Sequence, residues 1–170
     1  MNVHIAKDGE AVRILGAFIG NEVDMAALWL SILDKMQEKF ESWESTHPTI
    51  EGRQLLIQMY ASGFTQFLTR AQGMLSSVLE RTQKIVHNFA WDNQGPTPIN
   101  RTIQSAPIDS GGMQILDIKI CNQAIEVMQL KSYLQLGDDH PVAGYVKDAI
   151  INRYMQKGTP RAQAQANIFL

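Results

Sequence analysis

Apolar residues recur along most of this chain at steps of three and four, with a short exception at the start. There Val3 and Ile5, then Val12, Ile14, Ala17 and Ile19, supply strand-forming side chains, and Asp8-Gly9 between them favours the positive φ of a tight turn. Residues 1–22 are therefore expected to hold a β-hairpin running over 3–19. From 24 to 43 the period lengthens. Met25, Leu28, Trp29, Ile32, Leu33, Met36, Phe40 and Trp43 share one face of a helix, Asp34, Lys35, Glu38, Lys39 and Glu41 take the other, and Asp24 is placed to cap its start.

Thr46-His47-Pro48-Thr49 breaks that pattern, and a second helix is expected over 50–71. Leu55, Leu56, Met59, Tyr60, Gly63, Phe64, Phe67 and Leu68 would form its apolar face, beside an uncharged stripe of Gln54, Gln58, Ser62, Thr65 and Thr69. A third helix over 76–90 presents Val78, Leu79, Ile85, Val86 and Phe89. Three consecutive amphipathic helices with short joints predict a three-helix bundle over 23–92. Pro96, Pro98, Pro107, Gly95, Gly111 and Gly112 mark 93–116 as a linker, with a short extended piece at Met113–Leu116. Asp117 then caps a helix over 118–136, with Ile118, Cys121, Ile125, Met128 and Leu134 inward. Gly137 suits its end, and Pro141 suits the first turn of a helix reaching Met155. Residues 117–157 thus read as a helical pair and 158–170 as a frayed tail. The expected fold is mainly α: an N-terminal β-hairpin, a three-helix bundle and two further C-terminal helices.

Length and composition narrow the function classes. The chain has 170 residues, 45% hydrophobic and 19% charged, enough for a core in one domain or two small modules. A net charge of −2 supplies no long-range field for nucleic acid, so any such contact must come from local basic residues. A lone cysteine, Cys121, makes no internal disulfide and points to a reducing compartment. Met1-Asn2-Val3-His4 lacks a secretory pattern, and no apolar run suits a membrane span. An intracellular, non-secreted protein is expected, with the sequon Asn100-Arg101-Thr102 unused. His4, His47, His87 and His140 stand apart, without zinc spacing, a nucleophile elbow or a phosphate-cradling loop. Gly137-Asp138-Asp139 spells a polymerase-like turn. Pro141 cannot donate in the returning strand such a turn needs, so these residues read as a helix joint.

Two blocks of short motifs carry a resemblance that spans residues 3–155. The first is Leu15-Gly16-Ala17-Phe18-Ile19-Gly20, followed by Trp43, Gly52-Arg53 and Phe89-Ala90-Trp91. The second runs Ala106-Pro107, Gly111-Gly112-Met113, Leu116-Asp117-Ile118, Asn122 and Ala124-Ile125. In that order they resemble the region just downstream of the active site in reverse transcriptases of non-LTR (LINE-like) retrotransposons, most of all the reverse transcriptase-like reading frames of fungal genomes. The resemblance implies that Ile14, Leu15 and Gly16 lie in a primer-grip hairpin, that the three helices form a thumb, and that the Gly-Gly-Met segment joins the polymerase to its C-terminal parts. The Asp pair and the two Mg ions of that family belong to a palm upstream of Leu15-Gly16. This chain is then a non-catalytic piece with no catalytic residue, no metal site and no cofactor of its own.

Its candidate template–primer contacts are Leu15, Gly16, Arg53, Gln54, Gln58, Gly63, Arg70, Arg81 and Lys84, meeting the phosphate backbone of an RNA–DNA or DNA duplex rather than reading bases. Other expected partners are the missing palm or another protein surface, no membrane, and a second copy of the chain through exposed apolar surface. The alternative is a helical protein–protein interaction module or a non-functional retroelement relic.

Overall fold

The computed structural model describes residues 5–92, 99–135 and 140–154. Mainly helical as expected, it opens with two short antiparallel strands, β1 (Val12–Ile14) and β2 (Ala17–Ile19), which pair Val12 with Ile19, Arg13 with Phe18 and Ile14 with Ala17. The hairpin is tighter than the sequence predicts. Its turn is Leu15-Gly16, with φ of 50° and 91°, and paired positive φ values give the twist that joins two strands most directly. Asp8-Gly9 does turn the chain, but ahead of the hairpin. There the Glu10 N–H donates to the Lys7 carbonyl at 3.0 Å and the Gly9 N–H to the Asn21 carbonyl at 2.8 Å. A local Asp-Gly preference is outweighed by tertiary anchoring of β2, where the Phe18 N–H donates to Gln72 Oε1 at 2.9 Å.

Three helices follow: α1 (Met25–Glu44), α2 (Ile50–Gln72) and α3 (Ser76–Ala90). Asp24 caps α1, accepting from the N–H groups of Ala26 and Ala27 at 2.9 and 3.2 Å. Thr49 caps α2, its hydroxyl accepting from the Gly52 N–H at 3.2 Å. Each such cap contributes on the order of 1 kcal/mol. All three helices pack on one another. The core takes Trp29, Leu33, Met36 and Phe40 from α1, Ile57, Ala61 and Leu68 from α2, and Val78, Ile85, Val86 and Phe89 from α3. The Phe40 and Phe89 rings stack with centroids 4.3 Å apart.

The second helix is rotated relative to the expected orientation. Its buried line is Arg53, Ile57, Ala61, Thr65, Leu68 and Thr69, whereas Leu55, Met59 and Phe67 face out. Ala61 and Thr65 are small enough to let two neighbouring helices approach, which a line of Leu, Met and Phe would prevent. Thr65 and Thr69 are therefore buried rather than part of a solvated stripe. The Thr65 hydroxyl satisfies itself on the Ala61 carbonyl at 2.6 Å, as Thr82 does on Val78 at 2.8 Å.

Residues 99–116 are structured rather than a linker. α4 (Arg101–Ser105) is capped by Asn100, and a single 3-10 turn covers Ile108–Ser110. The chain then runs back along α4: Met113, Gln114 and Ile115 donate to the carbonyls of Ile103, Ala106 and Gln104 at 3.3, 3.0 and 2.8 Å. Ile115 and Ile118 join the bundle core. Pro107, Gly111 and Gly112, which suggest a linker, instead shape these turns, while Gly95, Pro96 and Pro98 lie outside the described residues.

Asp117 caps α5 (Ile118–Tyr133) as expected, accepting from Lys119 and Ile120 N–H at 2.9 and 3.2 Å. The chain divides into two compact units, 1–125 and 126–170, so the boundary falls inside α5 and not at 93–116. In the second unit, the Tyr133 hydroxyl of α5 donates to Asp148 Oδ1 of α6 (Val142–Tyr154) at 2.6 Å. That contact turns Tyr133 inward and leaves Met128 and Leu134, expected inside, exposed. Gly137-Asp138-Asp139, the end of the last helix at Met155 and the tail at 158–170 lie outside the described residues.

Candidate functional site

The structure joins the hairpin turn to the second helix. Gly16 sits so close to α2 that a Cβ there would lie 3.0 Å from Phe67 Cε1, on top of a φ of 91° that disfavours any side chain. Leu15, its neighbour in the turn, is 94% exposed. From Phe67 an apolar row runs down the outside of α2 at four-residue steps: Phe67, Gly63, Met59 and Leu55. Phe67, Met59 and Leu55 are 55%, 54% and 63% exposed, and a Cβ at Gly63 would meet nothing within 4 Å. Gln58, Ser62, Gln66 and Arg70 form a parallel polar row beside it. Leu15, Gly16, Gln58, Gly63 and Arg70 thus belong to one continuous face, and Gln54 borders it half-buried.

Three other candidates do not belong to that face. Arg53 is 7% exposed. Its Nε donates to the Pro48 carbonyl at 3.3 Å, its Nη1 donates to the Phe89 carbonyl, and its Nη2 pairs with Asp92 Oδ1 at 3.4 Å. The guanidinium also lies 5.1 Å from the Phe89 ring centroid. Phe89 is in the last turn of α3, where carbonyls lack intrahelical partners and the helix dipole is negative. Arg53 therefore ties the start of α2 to the end of α3 and has no reach to a phosphate. Arg81 pairs with Asp34 of α1 at 3.3 Å, across the α1–α3 seam. Because α2 packs on both α1 and α3, its exposed face points away from that seam, and Arg81 stands on the other side of the bundle. Lys84 is exposed on α3.

The Gly-Gly-Met segment has a local physical basis. Gly111 takes φ 76° to end the 3-10 turn, and a Cβ on Gly112 would fall 2.1 Å from the Ala106 carbonyl oxygen. One glycine supplies conformation and the other supplies space. Asn122 is buried, with Nδ2 3.1 Å from Met74 Sδ. Burial and the Asp117 carboxylate push the Cys121 thiol up from its ordinary range. At the bundle's other end, the Glu51 carboxyl is held below its ordinary range by its own backbone N–H and the Thr49 hydroxyl.

Sequence reasoning treats His140 as isolated and does not single out Asp148. The second unit brings them together: His140 Nδ1 lies 2.7 Å from the Gln135 carbonyl, Nε2 lies 3.7 Å from Asp148 Oδ2, and the ring meets Tyr145 edge-on at 4.7 Å. An Asp on the inward side of α6 is the one sequence signal for this cluster. Among the described residues no group of three or more His, Cys, Asp or Glu is arranged to hold a metal ion, and no helix is long and apolar enough to cross a membrane. No family model, curated protein or solved structure matches the chain.

Proposed function

We propose that this chain is the non-catalytic thumb and connection region of a non-LTR-type reverse transcriptase, a surface that holds template–primer or packs on the rest of the polymerase. The observation that carries the reading is the seating of the Leu15-Gly16 turn on Phe67. It unites the segment that resembles a primer grip with the outward face of the second helix of a three-helix bundle. Along that face Gln58, Ser62, Gln66 and Arg70 offer hydrogen bonds and one positive charge to a sugar–phosphate backbone, and Gly63 leaves room for close approach.

The test is titration of the folded chain with a labelled RNA–DNA hybrid across a salt series. Phosphate contacts release counterions, so affinity falls linearly with salt on logarithmic axes. The reading expects such a slope, and it expects Arg70→Glu and Gln58→Glu each to weaken binding while Arg81→Glu leaves it nearly unchanged. Absence of binding by a chain with native circular dichroism overturns the duplex-holding role.

A second reading, a helical protein-interaction module, is favoured by the exposed Leu55, Met59 and Phe67, which the bundle core does not use. Salt-insensitive capture of a protein partner, lost in Leu55→Glu, distinguishes it.

A further inference from the structure

We propose that the outward row of α2 is a self-association surface, on which a second copy of this chain lays its own α2 antiparallel, with Met59 of each copy against Gly63 of the other. The inference goes beyond the function proposed above and does not depend on it.

Three features of the row select this occupant. The first is size. Leu55, Met59, Gly63 and Phe67 lie at equal four-residue steps. A two-fold axis at the level of Ala61 sets Leu55 opposite Phe67 and Met59 opposite Gly63, so every member has a counterpart and the long thioether enters the space above the glycine. Moving the axis by one step leaves a large residue unmatched. Ridges at four-residue steps are also those that interdigitate in the commonest helix–helix packing. The second is charge. Glu51 stands at the start of α2 and Arg70 at its end, both exposed. The antiparallel pair brings Glu51 of one copy beside Arg70 of the other at both ends and sets the two helix dipoles head to tail. A parallel pair would oppose Glu51 to Glu51, align the dipoles and leave Gly63 facing Gly63 across a gap.

The third is area. Stable interfaces bury about 800 Å² on each partner, more than four side chains supply. The hairpin turn is fixed to Phe67, at the end where the second copy's Leu55 arrives. It brings Leu15 to extend the contact at both ends. Such a surface supports a reversible dimer of micromolar affinity rather than an obligate one.

The experiment is sedimentation equilibrium of the full chain without nucleic acid, from low to high micromolar concentration. A concentration-dependent monomer–dimer equilibrium is expected. Met59→Glu should raise the dissociation constant by at least about tenfold, since it buries a charge in the centre of the contact. Gly63→Leu should do the same by filling the space Met59 enters. It points into solvent in the monomer and replaces glycine by a better helix former, so loss of the dimer there cannot be misfolding.

Spin labels at residues 58 and 66, in the exposed polar row beside the contact and in a Cys121→Ala background, give the geometry without filling the space above Gly63. At 1.5 Å rise per residue, symmetry-related sites should differ by about 9 Å along the axis at 58 and about 15 Å at 66. A monomer at all concentrations, equal spacings at the two sites, or a dimer indifferent to both substitutions overturns the proposal. Each of these readouts is independent of the hybrid titration, so either inference can fail alone.

Discussion

Replacing Arg53 separates a structural arginine from a phosphate-binding one. In Arg53→Ala, the carbonyls of Pro48 and Phe89 lose a charged donor, the pair with Asp92 is removed, and the contact with the Phe89 ring is lost. Hydrogen bonds from a charged donor are each worth about 1.5–3 kcal/mol, and a buried carbonyl left unpaired costs about 1–3 kcal/mol. The ring contact adds about 0.5–2 kcal/mol. Asp92 is itself 56% exposed, so its pair adds little. These contributions overlap because one side chain makes all of them. A loss of about 3–4 kcal/mol is expected, or roughly 10–15 °C in Tm for a unit of this size.

The assay is urea unfolding followed by tryptophan fluorescence, since Trp29, Trp43 and Trp91 all report on the first compact unit. Arg53→Lys keeps the charge but not the fork of donors, and should recover about half or less of the loss. Asp92→Asn should cost under about 0.5 kcal/mol. Hybrid affinity per folded molecule should not change in any of the three. A stability loss below about 1 kcal/mol in Arg53→Ala, together with loss of hybrid binding, would refute the assignment of this side chain to the α2–α3 joint.

Other substitutions test neighbouring steps. Trp29→Ala and Leu33→Ala, both fully buried, should cost about 3–5 and 2–5 kcal/mol by cavity formation, measured by the same unfolding curves. Gly111→Ala should cost about 1 kcal/mol for its φ of 76°, while Gly112→Ala should cost more, because its Cβ meets the Ala106 backbone and disturbs the segment that returns along α4. The raised Cys121 thiol is protonated over a wider pH range folded than unfolded. Its contribution to stability is therefore complete below the unfolded thiol pKa and disappears as pH rises through the folded one. Maleimide labelling at mildly alkaline pH should be slow, and Asp117→Asn, which removes the second cause of the shift, should accelerate it by about twofold.

What the residues disclose on their own depends on how many partners an element has. Met25–Glu44 and Ser76–Ala90 each have one apolar face, and Asp24 and Asp117 cap through atoms two or three residues away. Local pattern suffices for all of these. Ile50–Gln72 is apolar over more of its circumference than one neighbour can cover, and pattern alone prefers the larger side chains. Packing prefers the smaller ones: Ala61 and Thr65 are buried on a helix that packs against two others. The hairpin turn is decided by Gln72 and Phe67, residues more than fifty positions away. Arg53 is charged and so reads as surface, until the unpaired carbonyls at the end of α3 are in view.

The rotation of α2 also bears on function. A helix whose largest apolar residues were needed for folding would bury them, yet Leu55, Met59 and Phe67 remain outside a core already closed by Ile57, Ala61 and Leu68. Substitutions in the outer row should therefore leave unfolding free energies within about 0.5 kcal/mol of the parent chain, Phe67 excepted for its contact with Gly16. The same substitutions should change association, whether with duplex, polymerase or a second copy. If Leu55→Ser and Met59→Ser instead destabilise the bundle by several kcal/mol, the row belongs to the fold, and each interaction assigned to it fails together.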